Sequence, residues 1–176
     1  FHNPLNAIVA PRPIGWISTL DTNGVPNLAP YSFLNAVAYT PPQVMFAATS
    51  GHAFGGLKDT VANANASGEF VVNLATYELR EQMNSSAVPA PHEIDEFEFA
   101  GLSKSQSRLV KPFRVAESPA HLECRFIQRV DLLTKDKNAN VVVFGEVVGV
   151  HIKDRYLVDG RVDTVAMRPI GRLGYL

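Results

Sequence analysis

Two long extended runs constrain this chain more than any other feature. Residues 120–133 and 141–152 are dense in branched and aromatic side chains, and the polar stretch 134–140 between them has the composition of a turn, so the pair reads as one long β-hairpin. Side chains alternate across a strand. One face of the second run carries Val142, Phe144, Glu146, Val148, Val150 and Ile152, and the other carries Val141, Val143, Gly145, Val147, Gly149 and His151. Both faces are mostly apolar. A strand of that kind belongs in a closed barrel covered by helices, or has one face set against a second subunit.

The remaining elements fit the barrel. Residues 14–20 form a strand, Asp21-Thr22-Asn23-Gly24 supplies a turn, and residues 25–33 return as a second strand. A short apolar run at 44–48 predicts a buried strand after Pro41-Pro42. Leu57, Val61 and Ala64 recur at helical spacing, Ser67-Gly68 closes that helix, and residues 69–74 resume as strand. Leu79 and Met83, four apart, predict an amphipathic helix over 76–87 with Thr76 as its N-cap, and a last short helix is expected at 163–167. Residues 88–92 read as a loop between two differently patterned halves of a single domain, 1–176. Strands outnumber helices without alternating strictly with them, so the fold class is mainly β (α+β): an antiparallel barrel with peripheral helices.

Composition removes several functions. With 176 residues, 46% of them hydrophobic, the chain can bury a sizeable core. Sixteen Lys and Arg stand against 17 Asp and Glu, a formal charge of −1 with no basic run, so no nucleic-acid partner is expected. No apolar stretch approaches the roughly 20 residues that span a bilayer, so no membrane association is expected. The lone Cys124 excludes an intrachain disulfide, fits a reducing cytoplasm, and alternates with Leu122 and Phe126 as a small core residue would. The histidines His2, His52, His92 and His121 have no metal-like spacing, so no metal is expected. There is no GxGxxG fingerprint and no Gly-x-Ser-x-Gly elbow, and Leu57 and Asp59 spoil the P-loop spacing around Lys58.

Two segments carry chemistry. The Gly-rich stretch 51–56 leads into Lys58, Asp59 and Thr60 at the start of a helix, where free amides, the helix dipole and a cation can hold a phosphate; the same residues also suit a helix capped by Asp59 with a solvated Lys58. Residues 27–35 form a strand interrupted by Pro30 and followed by Ser32 and Asn35. Because proline cannot donate to a ladder, pairing is expected to break there and free backbone groups for a planar, polar-edged ligand; an edge strand with a bulge fits equally.

The ordered fragments 12–21, 24–33 (Gly-Val-Pro-Asn-Leu-Ala-Pro-Tyr-Ser-Phe), Lys58-Asp59-Thr60, 68–73, 95–102, 117–119, 122–124 and 145–152 strongly resemble the flavin reductase-like, FMN-binding split-barrel family, in the branch of flavoredoxin-like proteins and NAD(P)H:FMN oxidoreductases. The resemblance covers nearly the whole chain. It implies a six-stranded Greek-key split barrel that forms a homodimer, with FMN in an interface groove. It also implies that Asn27, Ala29, Pro30, Tyr31, Ser32, Phe33 and Asn35 line the ring and ribityl groups, that Thr49, Ser50, Lys58, Asp59 and Thr60 hold the phosphate, and that His151 and Tyr175 approach the flavin, with Gly145 and Gly149 permitting a close approach. Trp16 is expected in the barrel or beside the flavin. No catalytic side chain is assigned, because the flavin does the redox chemistry. The activity implied is electron transfer from transiently docked NAD(P)H through FMN to a flavin, a monooxygenase or another redox protein. An electron carrier without NAD(P)H reactivity and a non-catalytic flavin-binding module are the alternatives.

Overall fold

The computed structural model describes residues 4–135 and 139–174, and no helix among them is long and apolar enough to cross a membrane. The middle of the 134–140 turn and Tyr175 lie outside the described residues. Seven strands form the main antiparallel sheet: β1 (Gly15–Leu20), β2 (Pro26–Tyr31), β3 (Leu34–Tyr39), β4 (Pro42–Thr49), β5 (Glu69–Leu74), β6 (Ala120–Asp131) and β7 (Asn140–Ile152). Their order is β2-β1-β5-β6-β7-β4-β3.

That order requires a barrel. Strands β2 and β3 occupy opposite edges of the sheet, yet only Ser32 and Phe33 separate them in the chain. Six spacings of about 4.8 Å would hold the edges of a flat sheet about 29 Å apart. A link of this length reaches only about 10 Å between flanking residues. The sheet therefore curls until its edges meet, and Tyr31 of β2 packs against Phe46 of β4 with ring centroids 5.2 Å apart.

The fold class agrees with the sequence reading, but the sheet has seven strands where six were expected. The additional strand is β3. Its residues are mostly exposed, so it lacks the alternation that marks a half-buried strand. The expected hairpins appear as β1–β2, paired from Gly15 with Tyr31 to Leu20 with Pro26, and as β6–β7, which is interrupted by two register shifts.

After a short N-terminal helix, α1 (Pro4–Ile8), helix α2 (Asp59–Ser67) covers the first core, where Val61 and Ala64 pack against Ile17, Phe46, Phe70, Cys124 and Val143. It ends at Gly68, whose φ of 75° is the left-handed turn foreseen from Ser67-Gly68. Burial pushes the Cys124 thiol pKa up, consistent with an inert core residue. On the opposite face of β1, Trp16 and Leu28 of β2 form a second core with Leu79, Met83, Phe97 and Val115. Its cover includes the expected 76–87 helix, seen as a 3₁₀ turn (Tyr77–Leu79) followed by α3 (Arg80–Ser85), and α4 (Glu96–Phe99). Thr76 makes no side-chain cap; it bridges Pro169 instead. The last expected helix is α5 (Thr164–Met167).

On β7, Val141, Val143 and Gly145 turn inward, whereas Val150 is exposed together with Ile127 and Val130 of β6. Gly145 leaves room for a neighbour: a Cβ there would stand 2.3 Å from Cζ of buried Phe70. At Gly149, a Cβ would meet Leu109 at 3.1 Å. Gly145 thus makes room for the core side chain of Phe70, and Gly149 for the exposed Leu109.

Candidate functional site

A cleft of about 630 Å³ opens where the outer edge of β2, the end of β4, the start of α2 and the segment after α3 converge. That volume lies in the range of small-molecule sites. Asn27, Ala29, Pro30, Tyr31, Ser32 and Phe33 line one side, and Thr49, Ser50, Lys58, Asp59 and Thr60 line the other, so the fold unites the two segments singled out in the sequence. Asn35 and His151 are not among the cleft-lining residues.

Pro30 works differently from the expectation. The β1–β2 register runs through it, with Trp16 opposite Pro30, so the pairing does not break. The Leu28 amide points away from β1, donating to Glu96 Oε2 at 2.9 Å, and by strand alternation the Pro30 nitrogen lies on that same outer edge. An edge position needs no donor, so proline is tolerated. The free backbone groups come from β2 being an edge, not from a broken ladder.

Beneath the cleft lies a buried polar network. Thr60 Oγ1 donates to Asn27 Oδ1 at 2.7 Å, and Asn27 Nδ2 donates to Glu96 Oε1 at 3.2 Å. Burial pushes the Tyr31 phenol pKa up, against a hydrogen bond with Thr60. Glu96 is also raised, chiefly by burial and further by the Asp59 charge, against the lowering effect of the Leu28 and Asn27 donors. Sequence reasoning missed Glu96 because α4 is a single turn, too short for periodicity. It also placed Ser86 and Ala87 in the 76–87 helix and read 88–92 as a loop, although residues 86–90 form a cleft wall. Trp16 secures that wall: it is fully buried in the second core, and its Nε1 donates to Ser86 Oγ at 2.9 Å.

The opposite end of the cleft is suited to an anion. Helix α2 begins at Lys58 with no side-chain cap, so its first amides lack a side-chain acceptor. Lys58 has no carboxylate partner among the described residues. Ser50, at φ 69°, turns the chain out of β4 into the 51–56 loop. Asp59 does not cap the helix; its carboxylate lies between His52 and His92. The expectation that the histidines would not cluster fails here, because folding joins residues that the sequence separates.

His151 pairs with Glu123 at 2.5 Å. Glu123 is fully buried, which pushes its pKa up, but the Arg108 and Leu109 amides and His151 outweigh this and hold the carboxyl below its ordinary value.

Residues 9–165 match the model of the flavin reductase like domain. The chain belongs to the flavin reductase-like family. Nitrilotriacetate monooxygenase component B of Bacillus cereus superposes with a TM-score of 0.91 at 31% identity, over 98% of this chain and 85% of that one. The 2-nitrobenzoate 2-nitroreductase NbaA of Pseudomonas fluorescens gives 0.84 at 30%, over 98% and 81%. A Shewanella frigidimarina NCIMB 400 protein, described as a flavin reductase with split barrel domain, gives 0.83 at 22% over 97% and 82%, and shares the fold. The fold is thus a split barrel, and its relatives support flavin binding and flavin-linked oxidoreductase chemistry for this family member.

Proposed function

We propose that the cleft holds FMN and that the chain is an NAD(P)H:FMN oxidoreductase, delivering electrons to a flavin or protein acceptor such as a monooxygenase. The observation that carries this reading is the union, in one cleft, of an unpaired strand edge with an anion-binding corner. Bound FMN would supply the hydride and electron chemistry. The Pro30 carbonyl on the outer edge of β2 and the Ser32 backbone in the link that follows offer hydrogen-bonding groups to a polar ring edge. Lys58 and the uncapped start of α2 supply charge and amides for a phosphate. Thr60 acts as a positioning residue in this reading, since its hydroxyl is donated to Asn27.

Asn35, His151 and Tyr175 belong to the reading through a second subunit. Apolar side chains exposed along β6 and β7, among them Ile127, Val130 and Val150, suit a homodimer contact, and a paired arrangement can bring residues to a cleft that they do not line within one chain. A cytoplasmic setting accords with this redox role.

Purified protein is tested first by its absorbance spectrum and by titration with FMN. Lys58→Ala is expected to weaken FMN binding about tenfold or more, the scale of one charge-assisted contact. Stopped-flow mixing with NADH or NADPH should then bleach the bound flavin rapidly. A colourless protein that takes up no FMN refutes the cofactor assignment, and bleaching by a protein donor alone converts the enzyme into an electron carrier.

A further inference from the structure

The polar end of the cleft assembles a constellation drawn from three separate segments. His52 stands in the 51–56 loop, Asp59 is the first residue of α2, and His92 lies between α3 and α4. One ligand atom from each falls within 4.8 Å of the others. His52 Nε2 is 3.3 Å from Asp59 Oδ2, His92 Nδ1 meets Asp59 Oδ1, and the two imidazoles stack with centroids 4.2 Å apart and planes 23° from parallel.

We propose that His52, Asp59 and His92 form a binding site for a zinc-class divalent cation. Two imidazoles and a carboxylate are a donor set suited to borderline ions, and three protein ligands leave a fourth position open. Ligand atoms bonded at 2.0–2.2 Å around a tetrahedral ion lie about 3.4 Å apart, close to the existing His52–Asp59 spacing. His92 is half exposed, so its ring can adjust without disturbing a core.

The hydrogen bonds indicate how the site would change on loading. The Phe54 amide donates to His52 Nδ1 at 3.2 Å, which in neutral imidazole leaves the proton on Nε2, beside Asp59. The carboxylate therefore lies between two imidazoles in the position a cation would share. On uptake the ion takes the Nε2 lone pair of His52 and the Nδ1 lone pair of His92. Each ring proton moves to the opposite nitrogen, and Phe54 loses its acceptor. A bound ion also ties the 51–56 loop and the segment containing His92 to the start of α2, and turns the local charge from negative to positive.

The test uses chelator-treated protein without added flavin, titrated with Co²⁺ while its visible ligand-field absorption is followed, and then with Zn²⁺. The proposal expects one equivalent of Co²⁺ per chain to saturate the band, Zn²⁺ to abolish it, and Zn²⁺ to raise the thermal midpoint and shift the Phe54 amide resonance. His52→Ala and His92→Ala should each weaken the metal about tenfold or more, at unchanged circular dichroism. Wild-type protein showing neither the band nor a thermal shift overturns the site, as does unchanged affinity in both folded variants. Because no flavin is present, either result leaves the FMN reading to its own titration.

Discussion

His121 should make the protein measurably less stable below neutral pH. The residue is 4% exposed, and its Nε2 donates to the Val115 carbonyl at 2.8 Å. Burial pushes its pKa down to about 4, reinforced by the positive groups Arg114, His151 and Lys153 and opposed by the Val115 carbonyl. An unfolded chain restores a value near 6.5, so between those limits the unfolded state binds the proton and the folded state does not. Stability therefore rises with pH across this window and is lost as pH falls. Lowering pH from 7.5 to 5 should cost about 2 kcal/mol, at about 1.36 kcal/mol for each unit between the two titrations. Urea melts at matched protein concentration measure the loss, with His121→Gln as the comparison, since its amide can still donate to Val115 but does not titrate in this range. Taking the difference between the two proteins cancels the contributions of Glu96 and Glu123. The wild type should lose about 2 kcal/mol more than the variant over this interval; parallel pH profiles would refute the buried neutral imidazole.

Three further outcomes follow from packing and charge. Gly145→Ala places a Cβ 2.3 Å from Phe70, which is fully buried, so thermal melts should show about 2–3 kcal/mol of destabilisation; a wild-type midpoint counts against the close approach. Trp16→Phe removes the donor to Ser86 and should cost about 1–2 kcal/mol, with faster amide exchange at 86–90; unchanged exchange would show that Trp16 does not secure that wall. The raised Glu96 pKa means that wild-type stability falls as pH rises above the ordinary carboxyl value and through the folded one. Glu96→Gln should therefore compare better with wild type at pH 7 than at pH 4, and a pH-independent difference in urea melts would contradict this.

The parts of the fold legible in the sequence are those with a repeating burial pattern. The two long runs, the β1–β2 hairpin and α2 each present apolar residues at strand or helix spacing, and each appears where that spacing puts it. Strand β3 was hidden because an exposed edge strand does not require alternation, and α4 because a single turn has no period to read. Pro30 was misread for a related reason. A proline in a strand signals either a break or an edge, and only the strand order, with β2 outermost, distinguishes them.

The candidate site divides along the same line. Residues 27–33 and 58–60 could be recognised because each is a contiguous segment whose local chemistry survives folding. Glu96, Ser86 and His52 reach the cleft only when the sheet curls and the segment after α3 folds back over it, a consequence of long-range closure. The two-residue link between opposite sheet edges is the physical cause common to both. It draws the two edges of the sheet together beside Ser32 and Phe33, and it sets the outer edge of β2, which no strand pairs, beside the start of α2. A longer link would relax that constraint, since each added residue reaches about 3.5 Å further. Closure thus generates both the barrel and the strand edge beside the cleft, which is why the candidate segment lies at the seam and not in the middle of the sheet.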